Sequence, residues 1–217
     1  MTWIKICGIT NVQDALEAAS LGVDALGFIF APSPRRIEPS AAREIIGCLP
    51  PSVLKVGVFV NDELPEVQRI ADYCGLNTVQ FHGQETPEYC RQVSLPVIKA
   101  VRVKNLESLQ EMEKYPFASI LLDAWSPDQA GGTGKPFGWE MALEARQKRN
   151  FILSGGLNSM NVYQAIEKPR PVGVDVCSGV EKTPGEKDGN KTKEFIKEVK
   201  KADARTRSKR AFRNFRW

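Results

Sequence analysis

The sequence predicts an α/β fold, a single-domain (β/α)8 TIM barrel, and three observations predict it. Short β-branched runs alternate with helix-length amphipathic segments from end to end, which is how repeated βα units over a parallel sheet read. The runs number eight, the barrel number: Trp3–Cys7, Ala25–Phe30, Lys55–Val60, Thr78–Phe81, Val97–Val101, Ser119–Asp123, Phe151–Leu153 and Val172–Val176. At 217 residues and 42% hydrophobic content the chain also has the length and apolar material for one such core.

Helical stretches are expected after each run. Thr10 or Asn11 is placed to cap the first helix, Pro39-Ser40 to open the second, and Asn158 stands before the seventh. An open doubly wound sheet is the alternative. It would show a Gly-rich dinucleotide turn after its first strand, and Cys7-Gly8-Ile9-Thr10 is not one.

Composition excludes several function classes. The amino end lacks the build of a signal peptide and no run of 18 apolar residues appears, so a cytoplasmic protein without a membrane partner is expected. The five cysteines (Cys7, Cys48, Cys74, Cys90, Cys177) are scattered and without a C-x-x-C pair, which argues against a disulfide framework or zinc. One histidine, His82, is too few for a multi-histidine site, so no metal is expected.

The net charge of +4 is a property of the tail. The last 18 residues, from Lys200, carry +7 and leave the body at −3. Residues 1–200 are therefore read as the catalytic barrel and 201–217 as a flexible, solvated basic tail with no specific nucleic-acid partner. The alternative is nonspecific RNA or membrane binding, with Phe212, Phe215 and Trp217 adding stacking.

A barrel builds its site at the carboxyl ends of the strands and in the loops that follow. In the first strand, period-2 alternation points Lys5 and Cys7 into the barrel and Ile4 and Ile6 toward the helices. An ammonium beside a thiol favours the thiolate, so Cys7 can accept a proton; the alternative is a small buried hydrophobe. Asp123 ends the apolar run Ser119-Ile120-Leu121-Leu122 and is placed to protonate a departing oxygen, or else to cap a turn. Asp175, between Val174 and Val176, repeats the pattern as an inward, site-facing carboxylate and is expected to bind substrate.

Three glycine-rich loops follow late strands. Ser154-Gly155-Gly156-Leu157 and Cys177-Ser178-Gly179-Val180-Glu181 occupy the two positions where barrels hold phosphate on backbone N–H groups. Gly131-Gly132-Thr133-Gly134-Lys135 reads as a lid. Arg35 and Arg36, in a proline-bounded loop after the second strand, offer forks for a second anionic group.

Taken together, Lys5–Thr10, Gly27–Phe30, Gly57–Asn61, Val79–Gly83, Leu121–Asp123, Gly131–Lys135 and Ser178–Glu181 resemble the phosphoribosylanthranilate isomerase family, over about residues 3–200. The resemblance implies an Amadori rearrangement of N-(5-phosphoribosyl)anthranilate to 1-(2-carboxyphenylamino)-1-deoxyribulose 5-phosphate in tryptophan biosynthesis. It implies a small phosphorylated aminosugar as partner and no cofactor.

Carried residue by residue, the resemblance makes Cys7 the general base at C2 and Asp123 the general acid at the ring oxygen. Arg36 matches the binder of the anthranilate carboxylate, which leaves Arg35 expected to be solvated. Gly155, Gly156, Ser178 and Gly179 match the phosphate site. Two residues depart from the family pattern: Cys177 stands where serine is usual, and Gly138 where aspartate would precede Trp139. A sister isomerase acting on a histidine-pathway aminoaldose would do the same chemistry, but such enzymes look to use an aspartate where Cys7 stands. The sequence leaves oligomeric state open.

Overall fold

Each strand leans on its neighbour in parallel register, and the eighth returns to the first. The structure, a computed structural model, describes the backbone of residues 1–124 and 139–213. The strands are β1 (Trp3–Cys7), β2 (Ala25–Ile29), β3 (Leu54–Phe59), β4 (Thr78–Phe81), β5 (Val97–Val103), β6 (Ser119–Ala124), β7 (Ile152–Leu153) and β8 (Gly173–Val176), in the order of a closed barrel. All eight expected runs form strands, with ends shifted by a residue or two.

The two faces of each strand divide the core. Ile4, Ile6, Leu26, Phe28, Ile120, Leu122, Val174 and Val176 turn outward into the layer between sheet and helices. Ala25, Val56, Ile98, Ala100, Leu121 and Ile152 turn inward, with Trp3 packed beneath them. Burying a side chain such as Phe28 contributes about 1.5–3 kcal/mol, and the wide outer layer carries most of this apolar burial.

The helices are α1 (Val12–Ser20), α2 (Pro39–Gly47), α3 (Leu64–Cys74), α4 (Pro87–Cys90), α5 (Trp139–Lys148), α6 (Val162–Glu167) and α7 (Gly189–Arg213). Asn11 caps α1, accepting from the Asp14 amide at 2.8 Å, and Pro39 sits in the first turn of α2 behind Glu38. The crossover after β4 is one short turn, and that after β5 is a 3-10 helix, Leu106–Lys114, instead of an α-helix. Asn158 does not cap α6: it shapes the turn before it, and Asn161 is the residue at the helix boundary. A small antiparallel hairpin of β9 (Glu181–Thr183) and β10 (Glu186–Lys187), not anticipated from the sequence, follows β8.

The carboxyl end of the domain also differs from the expected division at residue 200. Helix α7 continues without a break to Arg213. Ala202 is buried, and the Asp203 carboxylate accepts from both the backbone N–H and the hydroxyl of Thr2, each at 2.7 Å. The first turn beyond 200 therefore belongs to the packed body. Among the described residues no helix is long and apolar enough to cross a membrane.

Candidate active site

The register of β1 on β8 sets Lys5 beside Asp175. Lys5 is wholly buried, and its ammonium meets Asp175 Oδ1 at 2.8 Å. Ser154 Oγ donates to the other oxygen at 3.4 Å. Burial pulls the Lys5 pKa down, but the Asp175 carboxylate and Cys7 outweigh it, so the residue stays charged at the floor of the mouth. Asp175 thus has both oxygens engaged by protein groups. It holds Lys5 in place beneath the rim.

Cys7 lies one layer above, at the end of β1, with its sulfur against Gly27. A Cβ added to Gly27 would stand 2.7 Å from Cys7 Sγ and 3.0 Å from Lys5 Cε, so only glycine leaves room for both. A hydrogen bond from the Cys177 thiol is the largest influence on Cys7; with Lys5 it overcomes the cost of burial and draws the Cys7 pKa down to about 6. The same bond and burial push the Cys177 thiol well up. Cys7 is therefore the thiolate of the pair at neutral pH, and Cys177 keeps its proton.

Asp123 stands three strands away around the mouth, at the end of β6, nearly buried. His82, in the loop after β4, meets Asp123 Oδ2 through Nε2 at 3.2 Å, and Gln80 Nε2 lies 3.2 Å from His82 Nδ1. With the Gln80 amide donating to Nδ1, His82 Nε2–H is left as the donor to Asp123 Oδ2. The sequence analysis assigns His82 no role in the site, although it lies in the motif Val79–Gly83. Its position one residue past a strand was the available signal.

The two late glycine loops meet. Gly155 and Gly156 hold φ of +90° and +66°, values that favour glycine, and their backbone N–H groups meet no protein acceptor among the described residues. Gly179 packs so close to the Leu157 carbonyl that a Cβ would overlap it. Ser178–Val180 forms a 3-10 turn there. The result is one surface built from the β7 and β8 loops. Gly131–Lys135, read from the sequence as a lid, and Gly138 lie outside the described residues.

The arginines behave oppositely to one another. Arg35, expected to be solvated, is 17% exposed at its side chain and closes a two-pronged ion pair on Glu181 (Nη2 to Oε2 2.7 Å, Nε to Oε1 2.8 Å). Lys187 Nζ joins Glu181 at 2.8 Å and reaches Cys177 Sγ at 3.9 Å. Burial alone would raise the Glu181 pKa, but the two cations hold it down at about 2. Glu181 comes from a segment 146 residues away, so nothing local in the sequence announced this pair. Arg36 instead has a side chain 53% exposed at the rim, where among the described residues its guanidinium pairs with Glu38 at 3.3 Å. An exposed pair of that kind is weakly held.

Comparison with known proteins places this geometry in context. The family model described as N-(5'phosphoribosyl)anthranilate (PRA) isomerase matches residues 4–198. The N-(5'-phosphoribosyl)anthranilate isomerase of Geotalea uraniireducens (strain Rf4) is 53% identical over 201 residues, covering 92% of this chain and 99% of that one. The same-named protein of Geobacter sp. (strain M21) is 52% identical over 202 residues, covering 93% and 99%. Among solved structures, phosphoribosyl anthranilate isomerase from Thermotoga maritima superposes with a TM-score of 0.89 at 47% identity, covering 93% of this chain and all of that one. A phosphoribosyl anthranilate isomerase solved in complex with reduced 1-(o-carboxyphenylamino)-1-deoxyribulose 5-phosphate gives 0.85 at 45% identity, with the same coverage.

Proposed function

The chain belongs to the N-(5'-phosphoribosyl)anthranilate isomerase family of tryptophan biosynthesis, and from that membership we propose how its own residues carry out the isomerisation. The observation that carries the reading is the placement of the Cys7 sulfur, buried at the end of β1 beside Lys5, with Asp123 across the mouth at the end of β6.

Asp123 protonates the ring oxygen of the phosphoribosyl group as the ring opens, held in orientation by His82. Opening leaves a Schiff base whose cationic nitrogen acidifies C2. The Cys7 thiolate takes the C2 proton, and the enolamine tautomerises to the ketone. A modest base suffices because the substrate is held at both ends. The phosphate sits on the backbone of Gly155, Gly156, Ser178 and Gly179, and the anthranilate carboxylate meets Arg36 at the rim. Asp175 acts through Lys5, which keeps a positive charge under the thiolate. The rearrangement is internally redox-neutral and calls on no redox cofactor.

The partner is then this small phosphorylated aminosugar, with no specific nucleic-acid or membrane partner. We place the protein in the cytoplasm, a reading supported by five free cysteines.

The test is turnover of freshly made phosphoribosylanthranilate by the wild type, Cys7→Ala and Asp123→Asn, each checked for folding by circular dichroism. Loss of a positioned acid or base costs about 10²–10⁴ in kcat, and both variants are expected in that range. A folded Cys7→Ala with near wild-type kcat would move the base role to another group.

A further inference from the structure

A second thiol, Cys177, stands beside the proposed base on the neighbouring strand. Strands β1 and β8 pair in parallel register from Trp3↔Gly173 to Ile6↔Val176, and Cys7 and Cys177 are the next residues on each. Neighbouring strands lie about 4.8 Å apart, inside the Cα separation of about 4.4–6.8 Å that a disulfide bridges. Cys177 is partly exposed, and Cys7 is buried beside it at the end of β1.

The surroundings suit thiol chemistry. Lys5 sits beneath Cys7, and Lys187 Nζ approaches Cys177 Sγ at 3.9 Å with its position fixed by Glu181. A thiol with a cation beside it and a second thiol on the neighbouring strand is how redox-sensing cysteine pairs are built. Cys48 and the buried Cys74 and Cys90 lie on helix ends of the outer layer, away from this pair.

We propose that Cys7 and Cys177 form a reversible redox pair that a peroxide closes to a disulfide, switching the isomerase off. The Cys7 thiolate attacks one peroxide oxygen and the O–O bond breaks. With one proton taken up, this gives Cys7 sulfenic acid and water. The Cys177 sulfur then attacks the Cys7 sulfur, the S–O bond breaks, and hydroxide leaves with the Cys177 proton as a second water. Two electrons pass from the sulfur pair to the peroxide. A dithiol reverses the step and is itself oxidised to a disulfide. The loss of activity rests on Cys7 being the base; the formation of the disulfide does not.

The experiment treats the full-length, reduced protein with hydrogen peroxide and follows activity, intact mass and the cysteine peptides, before and after dithiothreitol. The expected result is a mass lower by two hydrogens, a crosslinked peptide pair containing Cys7 and Cys177, activity lost in proportion, and both restored by dithiothreitol. Cys177→Ser should instead gain oxygen at Cys7 and pass to a state that dithiothreitol does not rescue. If wild-type Cys7 also gains oxygen while Cys177 stays a free thiol, the pair is refuted and the base role is untouched. If the disulfide forms fully and turnover persists, the switch and the base role of Cys7 fall together.

Discussion

At the scale of single residues, the site works by making one sulfur an anion where an ordinary thiol would be protonated. An unperturbed thiol near pKa 8.5 would leave only a few per cent of the base active at neutral pH. The hydrogen bond from Cys177 and the charge of Lys5 bring Cys7 to about 6. The free enzyme's kcat/KM should therefore fall on the acid side with a limb near pH 6, about tenfold per unit below it. Cys177→Ala removes the largest of the lowering influences and should move that limb upward. A pH profile of both proteins checks this; a wild-type limb near 8.5 would show that Cys7 is not the thiolate of the pair. The same shift has a stability sign. A thiol pKa depressed by folding adds stability that is complete above the ordinary thiol value and is lost as pH falls through about 6.

Cys7 and Asp123 were legible as candidates because strand alternation and strand ends are sequence properties. What held them was less visible. His82 reaches Asp123 across 41 residues and Arg35 reaches Glu181 across 146. Such pairings depend on how loops fold over one another, and a spacing rule along the chain cannot carry them.

At the scale of elements, the β7 and β8 loops make one surface because Gly179 lets two backbones touch. Gly179→Ala would drive a Cβ into the Leu157 carbonyl, a backbone atom that cannot turn aside. The loops must separate, which costs about 1–3 kcal/mol of strain and displaces the amides proposed to hold phosphate. The expected outcome is a KM raised by tenfold or more, with a lower urea midpoint. Gly47→Ala is the control: it adds a Cβ at the end of α2 where nothing lies within 4 Å. Its KM should not move.

The strands were the readable elements because β-branched runs bounded by turns survive any packing. The crossover after β5 was expected to be helical without distinction of type. Its apolar residues Leu106, Leu109 and Met112 fall at intervals of three, the 3-10 period, and Leu109 and Met112 are the buried ones. That signal was present in the sequence. The β9–β10 hairpin is too short to show any period, and it is held largely by ion pairs around Glu181.

At the scale of the molecule, the barrel is a ring whose seam joins the first strand to the eighth, and the last helix fastens it. Composition marked residues from Lys200 onward as a basic segment apart from the body. Charge density, however, says nothing about where a helix stops packing. In α7, Ala202 is buried, Asp203 accepts from Thr2 twice, and Arg205 donates to the Tyr163 hydroxyl at 2.8 Å and pairs with Glu167 at 3.4 Å. These contacts tie residues at the chain's carboxyl end to the residue before β1 and to α6. Truncation after Lys200 removes all of them and leaves the Thr2 N–H and hydroxyl without the carboxylate. At about 1.5–3 kcal/mol for a hydrogen bond to a charged group, the deletion should cost roughly 2–4 kcal/mol. Truncation after Arg205 keeps every one of these contacts while removing most of the tail's basic charge. Urea unfolding of the three proteins separates the possibilities: the midpoint should drop sharply for the first truncation and stay near wild type for the second. Equal losses in both would mean that the helix beyond Arg205 contributes to the fold. No loss in either would mean that the part of α7 from Gly189 to Lys200 is enough to hold the seam between β1 and β8.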